Sequence, residues 1–283
     1  MSAPNTYQLV AIDLDGTLLD SAHRLPPRNR AALHAAHRAG LKIVLCTGRS
    51  FTETRAILDE IGLDLDATVT VGGALLSEAA SGRTLERTPI APAIARESAS
   101  WFGRLGYPVI WLYDASEAGF DGYLIAGPRR HRALARWLDT TPCQVRPIGE
   151  LPDDGRAPLR LTVVDDTATL ERVARGFRRA FDGHMTCNVI RVPTCGFTVL
   201  EAFDATVSKW SGIAKLCQRW GLDPRRTVAI GDDVNDLPML RQAGLGISVA
   251  NAHPQVRRAA RRVVASNDEC GVAELIDELL EAG

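Results

Sequence analysis

The sequence predicts an α/β protein with a doubly wound, Rossmann-like parallel-sheet core and an inserted, smaller α+β domain. Short, uninterrupted apolar runs alternate with helical patterns near the start of the chain, which is typical of parallel strands covered on both faces. This alternation stops in the middle of the chain and returns near its end. We therefore expect a core domain formed by residues 1–81 and 193–283, with the inserted domain at residues 82–192.

Strands and helices alternate in the first core segment, where apolar runs and turn residues mark their limits. Pro26 and Pro27 suit the first turn of a helix, which ends before Gly40. The other predicted elements are a strand at 9–13, a strand at 41–46, a helix at 51–61 and a strand at 67–71.

The middle of the chain lacks this regular alternation. Two short arms around Ser81-Gly82 predict a hairpin, and a stretch dense in Pro, Gly and Asp at residues 147–158 predicts a loop. The other strands expected in the inserted domain lie at residues 108–113, 123–126 and 159–164.

The alternating pattern resumes from Thr194 and continues almost to the end of the chain. The expected elements are a strand at 197–201, a helix at 208–220, a strand at 227–231, a helix through Met239, a strand at 246–249, a helix after Pro254 and a helix at 272–280.

The composition limits the class of protein. Of 283 residues, 46% are hydrophobic, and 33 basic residues nearly balance 34 acidic ones. A general nucleic-acid binder needs a clear excess of positive charge, so we expect no nucleic-acid partner. No apolar stretch approaches the roughly 18 residues of a membrane span, and the first apolar run is cut short by Asp13, so we expect a cytoplasmic protein with no membrane partner.

Polar side chains follow several of the predicted core strands, at the points where those strands end. In open parallel sheets, ligands bind beyond the carboxyl ends of the strands. Carboxylates gathered there repel one another unless a cation lies among them, and ligands that are all hard oxygens favour Mg²⁺ over zinc. The candidate groups are Asp13-Leu14-Asp15-Gly16-Thr17, Thr47-Gly48-Arg49, Gly72-Gly73 and Gly231-Asp232-Asp233, with Asn235 and Asp236 beyond.

Each of these motifs also has a purely structural interpretation. Asp-x-Asp-Gly after a strand often forms a turn whose acids cap a helix, and Thr47 and Gly48 suit a helix cap and a turn. The acids near Asp232 could favour a helix N-terminus through its dipole. However, all of these groups follow separate strands that end at the same crevice. A single shared site therefore explains them together, whereas the structural interpretations must explain each motif separately.

Four ordered motifs resemble those of the haloacid dehalogenase (HAD) superfamily. They are Asp13-Leu-Asp-Gly-Thr-Leu-Leu-Asp20, Thr47-Gly-Arg49, Lys209 and Gly231-Asp-Asp-Val-Asn-Asp236. The tail segments Val249-Ala-Asn-Ala-His-Pro254 and Asp268-Glu-Cys-Gly-Val-Ala273 resemble its Cof-type phosphatase branch. An insertion between the second and third motifs is the cap position of that branch, so the resemblance implies an α/β cap at residues 82–192.

The resemblance implies a role for each motif residue. Asp13 is expected to attack phosphorus and form an aspartyl-phosphate, and Asp15 to protonate the leaving alcohol and later accept a proton from water. Mg²⁺ is expected to bind the Asp13 side chain, the Asp15 backbone carbonyl and Asp232, with Asp236 supporting the site. Lys209 is expected to be the third catalytic residue, reaching the same phosphate as a point charge. The residues expected to contact phosphate or substrate are Thr47, Gly48, Arg49 and Asn235.

Three of these assignments have an open alternative. Lys209 also suits the solvated start of an amphipathic helix, Asn235 suits a helix cap, and Arg49 suits an ion pair with a core acid. Two positions depart from the family pattern. Gly72 stands where the family usually has Asn, which removes a side-chain hydrogen bond, and Trp210 follows the lysine where Gly is usual, so that its ring could narrow the pocket or face the core.

These expectations combine into a Mg²⁺-dependent phosphatase of small phosphorylated metabolites, with sugar phosphates favoured, acting as a monomer or small homo-oligomer. One alternative is a phosphomutase with the same Asp13 chemistry, which passes the phosphoryl group to a second hydroxyl. The other is a non-catalytic regulatory module that binds a ligand. The presence of both Asp13 and Asp15 argues against that module.

Overall fold

The computed structural model describes residues 7–129, 131–192 and 197–282. The chain forms two compact units. The core unit extends to Ser50, continues over Thr54–Leu85 and resumes at Ser208, whereas the inserted unit consists of Phe51–Glu53 and Glu86–Val207. The predicted boundary at residue 193 and the return of the alternating pattern at Thr194 lie outside the described residues.

Within the described ranges, strands and helices alternate along most of the chain. The strands are β1 (Leu9–Asp13), β2 (Lys42–Cys46), β3 (Thr68–Thr70), β4 (Leu75–Ser77), β5 (Thr84–Arg87), β6 (Val109–Leu112), β7 (Gly122–Ile125), β8 (Val145–Ile148), β9 (Arg160–Asp165), β10 (Met185–Val192), β11 (Phe197–Asp204), β12 (Thr227–Gly231), β13 (Leu245–Val249) and β14 (Arg262–Val264). The helices are α1 (Pro27–Arg38), α2 (Phe51–Ile61), α3 (Pro92–Arg104), α4 (Ala115–Ala118), α5 (Arg132–Thr140), α6 (Thr167–Ala180), α7 (Lys209–Trp220), α8 (Leu237–Gln242), α9 (Pro254–Ala259) and α10 (Gly271–Glu281).

The core unit contains an eight-stranded sheet in the order β14-β13-β12-β1-β2-β3-β4-β5. The chain builds this sheet outwards from β1 through β2 and β3, and later outwards in the other direction from β12 through β13 and β14, with parallel pairing throughout. The strand order therefore reverses between β1 and β12, which is the point where doubly wound sheets bind ligands. The predicted fold class of the core is confirmed.

The central strands are apolar because both of their faces are covered. All five residues of β1 and all five of β12 are buried, including the terminal Asp13. Strands of this kind show no alternation between polar and apolar residues, which is the pattern seen in the sequence. The predicted hairpin around Ser81-Gly82 corresponds to β4 and β5, which are neighbours at the edge of this sheet.

The inserted unit contains a six-stranded sheet in the order β10-β11-β9-β6-β7-β8. Its strands pair in antiparallel fashion except for β7 and β8. Aromatic and aliphatic side chains from α3, α6 and the sheet form its hydrophobic core, in which Phe102 stacks on Phe177 with ring centroids 5.0 Å apart. The unit is therefore an α+β structure, as the sequence predicts.

One strand belongs to a different sheet from the one expected. The sequence pattern places residues 197–201 in the core, but β11 pairs with β9 and β10 in the inserted unit, where Leu200 lies opposite Val163. An apolar run identifies a strand, but it does not identify the edge to which that strand bonds. The inserted unit consequently extends to Val207. Within the described residues, no helix has the length and apolar character needed to cross a membrane.

Candidate active site

The carboxyl ends of β1 and β12 lie side by side in the core unit. Because these strands are parallel and Ile12 pairs with Ile230, Asp13 and Gly231 end neighbouring strands. Asp232 follows directly, so the first and last of the predicted motifs meet at the point where the strand order reverses.

Three carboxylates form a compact cluster at this edge. One oxygen each from Asp13, Asp232 and Asp236 lies within 4.8 Å of the others. Asp13 is 5% exposed and Asp236 is fully buried, whereas Asp232 is partly buried. The structure therefore brings together three of the four residues predicted to hold a metal ion.

Asp236 anchors the loop that follows β12. Its Oδ2 accepts hydrogen bonds from the backbone N–H groups of Asp232 and Asp233, each at 3.0 Å. Its Oδ1 accepts a hydrogen bond from Lys209 Nζ at 2.5 Å. Both carboxylate oxygens of Asp236 are therefore engaged by the protein, which fastens the loop that carries Asp232.

Gly16 allows the loop after β1 to approach the cluster. Its φ of +77° lies in the left-handed region that favours glycine, and a Cβ at this position would collide with the Asp232 carboxylate. In the same loop, Thr17 Oγ1 donates a hydrogen bond to Asp232 Oδ1 at 3.1 Å. The Asp-x-Asp-Gly-Thr motif thus shapes the backbone around the cluster and also orients one of its carboxylates.

Lys209 is buried in the cluster with 2% of its surface exposed. Its Nζ donates to Asp13 Oδ1 at 2.6 Å and to Asp236 Oδ1 at 2.5 Å. The lysine begins α7, whose N-terminus is capped by Ser208 through a reciprocal pair of hydrogen bonds with Ser211. The solvated-surface alternative for Lys209 is therefore excluded.

The cluster carries more negative charge than Lys209 can neutralise. Burial raises the pKa of Asp13 to about 7, an effect that Lys209 opposes and Asp236 increases. Burial, together with Asp13 and Asp236, raises the pKa of Asp232 to about 10. Burial would lower the pKa of Lys209, but the charges of Asp13 and Asp236 outweigh it and hold that pKa above its usual range.

These donors fit an oxygen-ligated divalent cation. When all groups are ionised, three carboxylates against one ammonium leave an excess of two negative charges. Carboxylate oxygens are hard ligands of the kind that Mg²⁺ prefers. The side chains that would hold the ion are Asp13 and Asp232, while the proposed contribution of the Asp15 backbone carbonyl stays a prediction.

Thr47 and Gly48 form the turn that follows β2. Thr47 is buried, and its Oγ1 accepts a hydrogen bond from the Arg49 backbone N–H at 3.1 Å. A hydroxyl that accepts in this way still has a hydrogen to donate. Gly48 is partly buried in the same turn. The turn therefore holds the Thr47 hydroxyl and the Gly48 backbone just beyond the end of β2, and their contact with phosphate stays a prediction.

The Asp15 carboxylate contacts Arg49 and His23. Arg49 donates from Nε to Oδ2 at 2.8 Å and from Nη2 to Oδ1 at 2.5 Å, and His23 Nδ1 lies 3.1 Å from Oδ1. Burial would raise the pKa of Asp15, but the hydrogen bonds from His23 and Arg49 outweigh it and hold that pKa well below its usual range. For Arg49, the structure thus shows the ion pair with a core acid that was the alternative to substrate contact.

Of the two departures from the family pattern, the one at Gly72 has a local explanation. Gly72 has a φ of +65°, a conformation that glycine and asparagine adopt most readily, so either residue suits the position. Trp210 is partly buried in the first turn of α7. The glycine that lets this helix approach the sheet is Gly212, where a Cβ would collide with Val69. Asn235 lies partly buried in a 3₁₀ turn beside Asp236.

Two side chains that contact the site are not among the residues that the sequence motifs predict. His23 had no recognisable motif, because its contact with Asp15 depends on a turn whose shape only the structure reveals. Asn251 lies in one of the two tail motifs, which imply no role for it. Its Nδ2 donates to the Gly16 carbonyl at 2.7 Å, and its Oδ1 accepts from the Asn267 N–H at 2.9 Å.

The chain is similar to known proteins over most of its length. A family described as haloacid dehalogenase-like hydrolase matches residues 10–276. YxeH of Bacillus subtilis is 32% identical over 98% of this chain and 99% of its own length. The 5-amino-6-(5-phospho-D-ribitylamino)uracil phosphatase YwtE of the same organism is 26% identical, over 96% of this chain and 97% of its own. The solved structure of the HAD subclass IIB sugar phosphatase BT4131 superposes with a TM-score of 0.78 at 22% identity, over 96% and 98% of the two chains.

The doubly wound core, the carboxylate cluster and these similarities define an enzyme of the phosphatase class. The chain belongs to the haloacid dehalogenase-like hydrolase family. Hydrolases of this family generally use a metal ion, which agrees with the charge and donor chemistry of the cluster. The alternative of a non-catalytic regulatory module is therefore wrong.

Proposed function

We propose that this enzyme hydrolyses small phosphorylated metabolites, with sugar phosphates favoured, in a Mg²⁺-dependent reaction through an aspartyl-phosphate. The observation that carries the proposal is the buried pair of Asp13 and Lys209 beside Asp232 and Asp236. The names of two similar proteins support the substrate class, because a phosphoribitylaminouracil phosphatase and a sugar phosphatase both act on phosphorylated polyhydroxylated molecules.

The first step transfers the phosphoryl group to the enzyme. An Asp13 carboxylate oxygen attacks phosphorus, the bond from phosphorus to the substrate oxygen breaks, and Asp15 gives its proton to that leaving oxygen. For this step Asp15 must be protonated, although Arg49 and His23 hold its pKa low in the structure, so it takes up the proton when those hydrogen bonds are weakened. Lys209 favours the ionised form of Asp13, because it donates a hydrogen bond to Oδ1. Mg²⁺ bound by Asp13 and Asp232 would offset negative charge that repels the phosphate and that develops on its oxygens.

The second step releases the phosphate. Asp15, now ionised, accepts a proton from a water molecule as that water attacks phosphorus, and the bond to Asp13 breaks. Thr47 and Gly48 bind the phosphate oxygens through the hydroxyl and the backbone N–H. Asp15 ends with the proton that it lost in the first step, so the cycle is closed.

The experiment that tests this proposal is a screen of phosphorylated metabolites with Mg²⁺, scored by phosphate release, on the wild type and on Asp13→Asn. We expect turnover by the wild type and loss of at least about 10³-fold in the variant, because its amide is not a nucleophile. Circular dichroism would verify that the variant is folded. Normal hydrolysis of p-nitrophenyl phosphate by Asp13→Asn would show that another group attacks phosphorus.

The same screen separates hydrolysis from the phosphomutase alternative. A phosphomutase passes the phosphoryl group to a second hydroxyl, so substrate is isomerised while little free phosphate appears. Product analysis by ³¹P nuclear magnetic resonance distinguishes a shifted phosphate ester from inorganic phosphate. Isomerisation without release would replace the hydrolase proposal with the mutase.

A further inference from the structure

We infer that His23 is a positioning residue for Asp15. Its hydrogen bond keeps the Asp15 carboxyl group in place both when that group is ionised and when it is protonated. This inference rests on the proposed function, because it takes Asp15 as the acid and base of the reaction. It concerns a residue outside the four sequence motifs. Its basis is the contact of 3.1 Å between His23 Nδ1 and Asp15 Oδ1.

The two partners of Asp15 differ in what they can do chemically. The Arg49 guanidinium only donates hydrogen bonds, so it suits the ionised carboxylate and has no acceptor for a carboxylic acid. An imidazole Nδ1 donates in one neutral tautomer and accepts in the other. His23 can therefore keep a hydrogen bond to Asp15 Oδ1 before and after Asp15 transfers its proton. The hydrogen bonds from Arg49, in contrast, must weaken when Asp15 is protonated.

The contact with Asp15 requires a strained backbone conformation at His23. His23 has a φ of +58°, in the left-handed region that non-glycine residues rarely adopt. Residues held in such conformations are strained, and they occur frequently at functional sites. A glycine at position 23 would relieve the strain, but it would remove the imidazole that reaches Asp15.

Hydrogen bonds to Asp20 and Asp268 stabilise the turn that contains His23. The Asp20 carboxylate accepts hydrogen bonds from the backbone N–H groups of Ala22 and Arg24, each at 2.9 Å, and the Asp20 carbonyl accepts one from the His23 N–H at 2.8 Å. Ser21 is tied to Asp268 through its N–H at 2.8 Å and its hydroxyl at 2.6 Å. These bonds hold the left-handed residue in place, so the imidazole does not have to provide the stability of the turn.

The test compares kcat for p-nitrophenyl phosphate and phenyl phosphate, which are similar in shape. Phenolate is the poorer leaving group, so its departure depends more on a proton from Asp15. In His23→Ala we expect kcat for phenyl phosphate to fall about tenfold and kcat for p-nitrophenyl phosphate to fall less than about twofold. His37→Ala is the matched control, because His37 is an exposed histidine on α1, and we expect it to change neither value.

Two further variants separate positioning from a structural role. Asparagine tolerates the left-handed backbone and carries both a donor and an acceptor near the place of Nδ1, so His23→Asn should restore most of the phenyl phosphate activity. His23→Gly should fold at least as stably as the wild type, yet show the same selective loss as His23→Ala. An equal loss on both substrates, or full activity in His23→Gly, would overturn the inference.

Asp15→Asn in the same assay separates this inference from the proposed function. If Asp15 is the acid, its variant loses phenyl phosphate activity more steeply than p-nitrophenyl phosphate activity. If Asp15→Asn shows that selectivity and His23→Ala does not, only the role of His23 is wrong. If Asp15→Asn shows no selectivity, the assignment of Asp15 fails, and the inference about His23 fails with it.

Discussion

Lys209 Nζ lies 2.6 Å from Asp13 Oδ1, although 196 positions separate the two residues in the chain. The lysine begins α7 and the aspartate ends β1, so the contact joins the first and last sequence segments of the core unit. Because both groups are buried, each depends on the other for its charge to be tolerated. This pair therefore contributes to the integrity of the core as well as to the chemistry proposed for Asp13.

Lys209→Met is expected to destabilise the protein by about 3–5 kcal/mol, because it leaves buried carboxylates without their ammonium partner. Urea unfolding followed by circular dichroism measures this difference. Lys42→Met is the matched control, since the Lys42–Asp66 pair is partly exposed and is expected to contribute about 1 kcal/mol or less. Equal losses of unfolding free energy in the two variants would mean that the buried ion pair stabilises the protein no more than the partly exposed one.

The stability of the protein in chelator is expected to fall as the pH rises from about 5 to 8. The folded-state pKa of Asp232 is about 10, above its value in an unfolded chain, so the folded protein binds more protons across this range. The free energy of unfolding must then decrease with rising pH. Asp15 shifts in the opposite direction, but its contribution is lost only at more acidic pH.

Added Mg²⁺ is expected to raise the unfolding free energy and to reduce this decline with pH, because a bound cation favours the ionised carboxylates. Urea titrations at several pH values, with Mg²⁺ and with chelator, provide the comparison. Parallel pH profiles under the two conditions would argue against an ion among Asp13, Asp232 and Asp236.

Gly16→Ala is expected to abolish most activity and to weaken Mg²⁺ binding at least about tenfold, because the new Cβ displaces the Asp232 carboxylate. Gly40→Ala is a suitable control, since Gly40 has a similar φ of +84° and its Cβ would meet no atom within 4 Å. Both variants carry the backbone strain of about 1 kcal/mol, but only the first crowds the site. Isothermal titration with Mg²⁺ separates the two effects, and equal affinities would contradict the crowding argument.

The buried ion pair of Arg160 and Glu201 in the inserted unit gives a further prediction about stability. Their side chains are 6% and 9% exposed and meet at 2.6 Å. Arg160→Met and Glu201→Leu are each expected to cost about 3–5 kcal/mol, whereas the double variant should cost less than either, because no buried charge is left alone. Thermal unfolding of all four proteins completes the cycle. Additive losses would show that the two side chains do not interact energetically.

The sequence by itself determined the class of the core and the chemical groups at its edge. Uninterrupted apolar runs such as residues 9–12 identify buried parallel strands without any knowledge of their neighbours. Polar residues that follow such strands are carried to one edge of the sheet by the parallel topology alone. For this reason Asp13, Thr47 and Asp232 could be placed near one another from the order of the motifs.

The tertiary structure decided which partner each of these groups meets. The apolar run of β11 suits either sheet, and its membership is set by hydrogen bonds to β9 and β10, which the run itself does not specify. The contacts of Asp15 with Arg49 and His23 depend on loop dihedrals and side-chain rotamers that no periodicity encodes. Local patterns specify elements because they act through adjacent residues, whereas pairing and charge partners result from the packing of the whole unit.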